Sequence, residues 1–328
     1  MQLLRKMADF GDLTNEEVIS RYGLDKDGIL FLTELLREDL QPKTERKNTI
    51  TLLQKVKIAL RYFASGEIQL NDADIHGISQ SSVSRVISQV IHALSRPHIV
   101  QTYIKFPKTQ QELQDLERQF YGTASFPNVF GVIDGTHVQI QGPTQNKGVY
   151  VNRMNYHSIN TQVVFDPNDR IIDIVARWPG SVPDSRILRE SGVWALMEGG
   201  HLPPGDHYLL GDSGYPCERW LLTPYLNPQQ GSQTQYNSAH KSTRAKVERG
   251  IGQLKGRWGV LHSEIKMNPE KVCKLIVCCG VLHNLCKSRN IPMPLDILHN
   301  DHNQPPTIVH SGPQDGLKYR DYVAETYF

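Results

Sequence analysis

The stretch Gly211-Asp212-Ser213-Gly214-Tyr215-Pro216 follows directly on the apolar run His207-Tyr208-Leu209-Leu210. The run predicts a short buried strand, with Asp212 at its end. A carboxylate in a buried position is costly unless it meets a cation, a hydrogen-bond donor or a proton. A metal ion shared with other carboxylates is the most economical compensation. The stretch therefore predicts further acidic residues that fold to the same place.

The segments around this strand predict an α/β fold, because short runs of alternating or β-branched apolar residues are interrupted by helical patterns. Asp166-Pro167-Asn168-Asp169 predicts a hairpin turn, so the first three strands form an antiparallel run. The predicted elements are strands at 128–140, 158–165 and 170–177, a helix at 183–197, a strand at 208–211, a candidate fifth strand at 220–225 and a long helix at 237–257. This order is βββαβ(β)α.

Two acidic residues in these elements are candidate partners of Asp212. Asp134 lies in the middle of the first strand, and Glu248 lies in the long helix. In a ribonuclease-H-like core with a mixed sheet, the first and fourth strands are neighbours and this helix packs across their ends, so the three carboxylates converge. Divalent cations would relieve their repulsion, and open oxygen-ligand sites suit Mg²⁺ or Mn²⁺. Two such ions suit in-line phosphodiester chemistry.

The long helix also carries a concentration of positive charge. Glu248 is its one anion between His240 and Trp258, where six cations occur: Lys241, Arg244, Lys246, Arg249, Lys255 and Arg257. His240, Arg244, Glu248 and Gly252 recur at every fourth position and share one face. An ordinary surface helix mixes charge signs, so we predict contacts from these cations to DNA phosphates, with a merely solvated basic face as the alternative.

The first hundred residues predict helices only. Thr14-Asn15-Glu16-Glu17 has the pattern of a capping box, and a third helix at 49–64 ends at Ser65-Gly66. After an acidic segment at 71–75 and a turn at Gly77, Ser79 predicts the N-cap of another helix. This pattern favours a helix-turn-helix whose outward residues are Gln80, Ser81, Ser84, Arg85, Ser88 and Gln89. DNA contact through Arg85 and an ordinary helical bundle both stay open.

Three polar residues near the predicted site have undecided roles. Asp184 opens a helix, so it is a fourth acidic group near the metal or a group that interacts with the helix N-terminus. His137 follows Asp134 along the strand and either reaches the site or lies in the core. Ser213 orders the turn after the fourth strand or donates a hydrogen bond to a carboxylate. These three are candidates for positions beside the metal ligands.

The chain resembles the PIF/Harbinger DDE transposases and the nucleases domesticated from them. The resemblance covers about Leu24 to Asn290, and the matching stretches are Val132–His137, Trp178–Ser185, Leu210–Tyr215, Tyr236-Asn237 with Arg244, Val247–Arg249 and Leu282–Asn284. It implies a ribonuclease-H-like core, metal-dependent DNA cleavage, and Asp134, Asp212 and Glu248 as catalytic metal ligands. It also implies DNA as substrate and a Myb-like DNA-binding partner protein.

Composition limits the remaining alternatives. The 328 residues have a net charge of only +2, so basic surface must be local, and no apolar run approaches the roughly 18 residues of a membrane span. Gly211–Gly214 resembles the serine motif of trypsin-like proteases, but no disulfide set or histidine motif accompanies it. Five cysteines, four of them between Cys273 and Cys286, favour reduced thiols in an apolar helix. We expect an intracellular protein, in the nucleus or also in the cytoplasm.

The predicted organisation has a helical domain with the helix-turn-helix at 1–105, a nuclease domain at 106–290 and a loop-rich tail at 291–328. Beyond Asn290 the content of Pro, Asn, His and Asp rises, which is typical of loops. Two functions stay open. One is a metal-dependent DDE endonuclease or transposase, and the other is a domesticated DNA-binding or scaffold protein without cleavage activity. A homodimer is an open alternative to a monomer.

Overall fold

A computed structural model of the chain describes residue 10 and residues 12–41, 49–66, 78–294 and 312–328. Its contacts group into two compact units. The first contains the described residues up to Tyr103, together with 138–143 and those from Gln253 to 294. The second contains 104–137, 144–252 and those from 312 to Phe328. Each unit has its own architecture.

The N-terminal part of the first unit is helical, as the sequence predicts. Its helices are α1 Asn15–Tyr22, α2 Lys26–Leu35, α3 Arg37–Leu40, α4 Leu52–Ser65, α5 Gln80–Leu94 and α6 Pro97–Tyr103. Thr14 and Glu17 form the predicted capping box, and Gly23 ends α1 with a φ of 72°. Ser79 caps α5 by accepting a hydrogen bond from the Ser82 backbone N–H. These local signals were sufficient because each acts within one helical turn.

The helix-turn-helix remains a prediction. The acidic segment at 71–75 and Gly77 lie outside the described residues. On α5, Gln80, Ser81 and Arg85 are exposed as predicted. Ser88 differs, since its hydroxyl contacts the ammonium group of Lys271 in the same unit. Helical periodicity predicted an outward-facing Ser88, because the sequence of one helix does not show which other helix packs against that face.

The second unit contains a five-stranded mixed sheet. It begins with α7 Gln110–Ala124, and the sheet order is β3-β2-β1-β4-β5. The strands are β1 Val129–Gln139, β2 Ser158–Phe165, β3 Ile171–Pro179, β4 Tyr208–Leu210 and β5 Leu221–Leu222. β2 and β3 are antiparallel, whereas β4 is parallel to both β1 and β5. The mixed α/β architecture and the candidate fifth strand are thus confirmed.

Further helices follow the strands in the sequence. The predicted helix at 183–197 is two helices, α8 Asp184–Arg189 and α9 Gly192–Glu198, because the Ser191 side chain accepts a hydrogen bond from the Trp194 N–H and starts a new helix. The long helix α10 runs from Ser232 to Arg257 and begins five residues before its predicted start.

Two helices near the C-terminus differ from the predicted domains. α11 Pro269–Ser288 belongs to the first unit, where it packs against α5 and α6, although we placed it with the nuclease domain. Its periodicity showed a buried face but not the partner of that face. α12 Gln314–Tyr327 is a helix within the tail that we predicted as loop-rich. Pro313 offers it no side-chain cap, so the usual start signal is missing.

The core of the second unit lies between the sheet and its helices. It joins Phe130 and Ile133 of β1 to Leu209 of β4, Leu221 of β5 and Leu188 of α8. This packing fixes the ends of β1 and β4 relative to each other. No helix of the described part of the chain is long and apolar enough to cross a membrane.

Candidate active site

Asp134 and Asp212 lie at equivalent positions relative to two neighbouring parallel strands, β1 and β4. Val132 of β1 is paired with Leu210 of β4, and each aspartate comes two residues later. β4 ends at Leu210, so Asp212 lies just beyond the C-terminal end of β4, whereas Asp134 lies within the neighbouring strand β1. Asp212 closes the next turn, where its Oδ1 accepts a hydrogen bond of 2.9 Å from the Gly214 N–H. Ser213 and Gly214 therefore shape this turn.

Arg244 connects Asp134 to Glu248. Its Nη1 donates to Oδ2 of Asp134 at 2.8 Å, and its Nη2 donates to Oε1 of Glu248 at 2.7 Å. Arg244 and Glu248 are four residues apart on α10, so they are neighbours on one helix face. Burial lowers the pKa of Arg244, but Asp134, Glu248 and Asp212 together raise it above its ordinary value. The structure thus brings all three predicted acids around one guanidinium.

Asp134 is the most buried of the three acids. Its Oδ1 accepts a hydrogen bond of 2.8 Å from the Gly135 N–H. Burial raises the pKa of Asp134 to about 7; Arg244 opposes this rise, while Asp212 and Asp184 add to it. A nearby positive charge therefore stabilises the ionised form of this carboxyl group.

Asp184 is a fourth acid in this group. It is the first residue of α8 but makes no cap, because Pro183 occupies the cap position and the Asp184 Oδ1 accepts a 2.8 Å hydrogen bond from Nδ2 of Asn160. Burial raises its pKa to about 6, and Asp212 contributes further. A Cβ on Gly135 would lie 2.5 Å from this carboxylate, so only glycine allows the close approach. The structure favours the acidic-group alternative over the helix-end alternative.

Sequence patterns missed Asn160 and Tyr215. Tyr215 is fully buried, and its hydroxyl has no hydrogen-bond partner in the described part of the chain. Burial raises its pKa well above the usual value, and Asp184, Asp134 and Asp212 raise it further. The hydroxyl therefore stays protonated near three carboxylates. The only sequence signal was its place three residues after Asp212, because the apolar ring alone predicts a core residue.

The donor chemistry of this group fits a divalent cation. Carboxylate oxygens are the ligands that Mg²⁺ and Mn²⁺ prefer, and because burial raises the pKa values of Asp134 and Asp184, a nearby cation would favour their charged forms. Within the described residues, however, no three His, Cys, Asp or Glu side chains are arranged to hold a metal ion. The guanidinium of Arg244 lies between Asp134 and Glu248 and pairs with both.

Comparison with known proteins identifies the family of this site. Residues 133–284 match the family model described as DDE superfamily endonuclease. The chain is 36% identical to "Putative nuclease HARBI1" of Mus musculus, with 87% of this chain and 83% of the mouse protein covered. The Homo sapiens protein of the same name is 34% identical, with 90% and 84% covered. The chain belongs to the Harbinger-derived DDE family.

Similarity within this family extends to plants. "Protein ALP1-like" of Arabidopsis thaliana is 30% identical to the chain, with 78% of this chain and 66% of the plant protein covered. No solved structure matches the chain. The five-stranded mixed sheet and the family match are together consistent with a ribonuclease-H-like core, and they support a nuclease-like or transposase-like function.

The basic helix α10 of this DDE protein does not present all its predicted cations to solvent. Lys241 and Arg249 are exposed, and Arg249 pairs with Asp169 at 2.6 Å. Lys246 is half-buried, with its Nζ 3.5 Å from the Pro167 carbonyl oxygen. Arg244 is engaged by the acids. Four of the six predicted phosphate contacts therefore lie on accessible or partly accessible side chains.

Lys255 and Arg257 correct that prediction. Both are buried in the first unit, and Arg257 donates hydrogen bonds to the backbone carbonyls of Gly23, Ile291 and Pro292. A guanidinium held by three carbonyls is a structural group and is not available to DNA. The count of cations on a helix could not reveal this, because it ignores which faces are covered.

Two histidines are now placed. His240 is buried, stacks on Tyr236 and has its Nε2 3.2 Å from the Leu222 carbonyl oxygen. Burial lowers its pKa to about 4, so the imidazole is neutral at neutral pH. A buried, neutral imidazole does not contact phosphate. This corrects its place on the predicted phosphate-contacting face. The His137 Nδ1 is 3.0 Å from the Ser158 hydroxyl, and the ring lines a pocket that also contains Asp184. His137 thus lies beside the acid cluster.

Proposed function

We propose that this protein is a metal-dependent DNA endonuclease or transposase of the DDE type. The observation that carries the proposal is that Asp134 in β1 and Asp212 just after β4 each lie two residues beyond the paired residues Val132 and Leu210, while Arg244 joins Asp134 to Glu248. In the proposal, Asp134, Asp212 and Glu248 are the metal ligands and catalytic residues. Mg²⁺ or Mn²⁺, with two ions bound, would activate a water or a 3′-hydroxyl and stabilise the leaving oxygen.

The protein's own side chains prepare the site for this chemistry. Burial of Asp134 makes its charged form costly, so a bound cation is favoured over solvent exposure. Asn160 orients Asp184 through its Nδ2, which leaves the second carboxylate oxygen of Asp184 available as a further ligand or proton acceptor. Tyr215, with its protonated hydroxyl, can donate a hydrogen bond to an acid of the cluster without adding negative charge.

DNA would reach the site over α10. Lys241 and Arg249 lie on the same helix as Glu248, and cations at this position can contact the phosphates on both sides of the bond that is cleaved. Arg244 would exchange its acid partners for a phosphate when divalent cations take over the neutralisation of Asp134 and Glu248. The proposal also includes strand joining, a Myb-like DNA-binding partner and action in the nucleus, on the basis of the family resemblance.

A cleavage assay with a matched variant pair tests the proposal. Purified protein is incubated with supercoiled plasmid DNA carrying candidate element ends, in Mn²⁺, in Mg²⁺ and with a chelator. We expect metal-dependent cleavage that Asp212→Asn lowers at least about 100-fold, since removal of a metal ligand or its close support typically costs this much. Asp206→Asn makes the same chemical change at an exposed position before β4 and should retain activity. Equal cleavage by the wild type and Asp212→Asn refutes the assigned site.

Absence of cleavage by the wild type, with DNA binding intact, would instead favour the non-cleaving DNA-binding alternative. The partner enters as a separate arm, an excision assay with and without a Myb-like protein encoded with a related element. Excision that is the same in both conditions would remove the partner from the proposal.

A further inference from the structure

The stretch from 144 to 189 in the second unit exposes charge of one sign. Its acidic residues, all aspartates, are buried or half-buried. Its cations are all exposed: Lys147, Arg153, Arg170, Arg177, Arg186 and Arg189. A folded surface normally mixes charge signs, so this stretch is locally basic although the net charge of the chain is only +2.

Two of these cations lie over one indole ring. The guanidinium carbon of Arg177 is 5.2 Å from the centroid of the Trp178 ring, and that of Arg186 is 5.7 Å from it. We call these three residues the Arg–Trp cluster. Arg177 also donates to the Glu190 carbonyl oxygen, and the Nε of Arg186 pairs with the Glu190 carboxylate at 3.1 Å. The ring and the end of α8 therefore hold both guanidinium groups at the surface.

The contacts of these two arginines leave their charge available. An aromatic ring attracts a guanidinium without neutralising it, whereas a carboxylate partner does neutralise it. Arg177 makes no ion pair with a carboxylate of the described residues, and its bond to a carbonyl oxygen uses only one of its five N–H donors. The pair of Arg186 with Glu190 leaves 62% and 46% of the two side chains exposed, and such a surface pair contributes little. Both arginines can therefore take a phosphate as partner at little cost.

The Arg–Trp cluster lies close to Asp184 but is turned away from it. Trp178 of β3 is paired with Asn160 of β2, whose Nδ2 donates to Asp184. Arg186 follows Asp184 by two residues on α8, which places the two side chains about 200° apart around the helix axis. The arginines thus lie beyond the acids at a separation of roughly one helix diameter, about 10 Å. They belong to elements other than α10.

We propose that the Arg–Trp cluster is a second DNA-contacting surface, which binds backbone phosphates of the duplex beside the bond that is cleaved. Its charge complements a polyanion, and the planar, donor-rich guanidinium group matches the geometry of a phosphate. Contacts to phosphates carry no base information, so this surface positions DNA of any sequence. The inference rests on the proposed DNA-cleaving function and adds a contact that does not use α10.

DNA binding without divalent metal tests this surface apart from cleavage. The probe is a duplex of random sequence, and its affinity for the wild type, Arg177→Gln and Arg186→Gln is measured over a range of salt concentrations. We expect each substitution to lower the affinity roughly fivefold at low salt and to reduce the slope of log affinity against log salt by about 1. Arg118→Gln is the matched control, because Arg118 is exposed on α7 of the same unit and also pairs with one carboxylate, that of Asp115. Its affinity and salt slope should equal those of the wild type.

A conservative variant separates loss of charge from loss of structure. Arg177→Lys keeps the positive charge but gives up the planar contact with Trp178. We expect its salt slope to match that of the wild type. A slope as low as that of Arg177→Gln would trace the effect to altered local structure and overturn the phosphate contact. Wild-type slopes in both Arg177→Gln and Arg186→Gln would overturn it as well.

The outcomes distinguish this inference from the proposed function. Metal-dependent cleavage by the wild type, together with wild-type DNA binding by Arg177→Gln and Arg186→Gln, overturns the second surface alone. Reduced salt slopes in both variants, with no cleavage by the wild type in any metal, overturn the proposed nuclease and leave a phosphate-contacting surface in a DNA-binding protein.

Discussion

Arg244 donates hydrogen bonds to both Asp134 and Glu248, at 2.8 and 2.7 Å, so one guanidinium lies between two of the three acids on which the proposed chemistry depends. One acid lies on a strand and the other on a helix, and the two are 114 residues apart in the sequence. One guanidinium therefore pairs with both carboxylates. This arrangement predicts competition between Arg244 and divalent cations.

Removal of this arginine should strengthen metal binding. Arg244→Gln takes one positive charge from Asp134 and Glu248, so the variant should be less stable than the wild type without metal, because Asp134 loses its partner. Saturating Mn²⁺ should then raise its melting temperature by several degrees more than it raises that of the wild type. Thermal denaturation with and without Mn²⁺ measures both effects.

The matched control is Arg249→Gln, which makes the same change on the same helix but breaks a pair with Asp169. Its Mn²⁺-induced shift should equal that of the wild type. Equal shifts for Arg244→Gln and the wild type would show that Arg244 does not compete with the metal.

Asp184 should make stability depend on pH. Its folded pKa of about 6 lies above the ordinary value of 3.8, so the folded state binds its proton more tightly than the unfolded state does. Stability from this group is fully present below about pH 4 and is lost as the pH rises through 6. Asp184→Asn removes that loss and still accepts the Asn160 hydrogen bond.

Asp184→Asn should therefore be more stable than the wild type at pH 8, by on the order of 1 kcal/mol because the half-buried group is partly screened, and the advantage should vanish near pH 4. Urea denaturation at pH 8, 6 and 4 measures the difference. Asp206→Asn, at an exposed position, should show no such trend. A constant advantage at all three pH values would contradict the assigned pKa.

Two glycines of α10 should respond oppositely to alanine. A Cβ on Gly250 would lie 2.8 Å from ring atoms of Phe165 on β2, whereas a Cβ on Gly252 meets nothing within 4 Å. Gly250→Ala should push the helix from the sheet and cost about 1–3 kcal/mol, with loss of cleavage because Glu248 moves. Gly252→Ala should be neutral or stabilise by up to about 1 kcal/mol, since alanine favours helices. Comparable melting temperatures for both variants would argue against close packing of α10 on β2.

Local sequence signals predicted most of this fold. The capping box at Thr14, the Asp166 turn and the strand that ends before Asp212 each depend on neighbours within a few residues, and the structure contains all three. Asp212 was singled out because a carboxylate after a buried strand is costly without a partner, and the predicted order of elements then supplied Asp134 and Glu248 as its neighbours. Asn160 was missed because an amide inside a strand has no local signature, and its partner Asp184 is 24 residues away.

The basic helix shows the limit of composition as a guide. Six cations on α10 predicted one DNA-contacting surface, but the identity of a residue does not say what covers it. Arg257 and Lys241 belong to the same helix and carry the same charge, yet one is 3% exposed and bonded to three carbonyls, and the other is exposed. Only tertiary contacts distinguish a cation that stabilises the fold from one that is accessible to DNA phosphates.

This difference predicts that one substitution lowers DNA affinity without loss of stability, and that the other lowers stability without loss of DNA affinity. Lys241→Ala should leave the free energy of unfolding within about 0.5 kcal/mol of the wild type, lower DNA affinity and reduce the slope of log affinity against log salt by about 1. Arg257→Ala should cost about 2–4 kcal/mol of stability, because three buried or partly buried carbonyls lose their donor. At a temperature where it stays folded, its DNA affinity and salt slope should match the wild type. The opposite result, a smaller salt slope for Arg257→Ala and an unchanged slope for Lys241→Ala, would contradict this prediction. It would show that exposure in the structure does not decide which of the two cations contacts DNA.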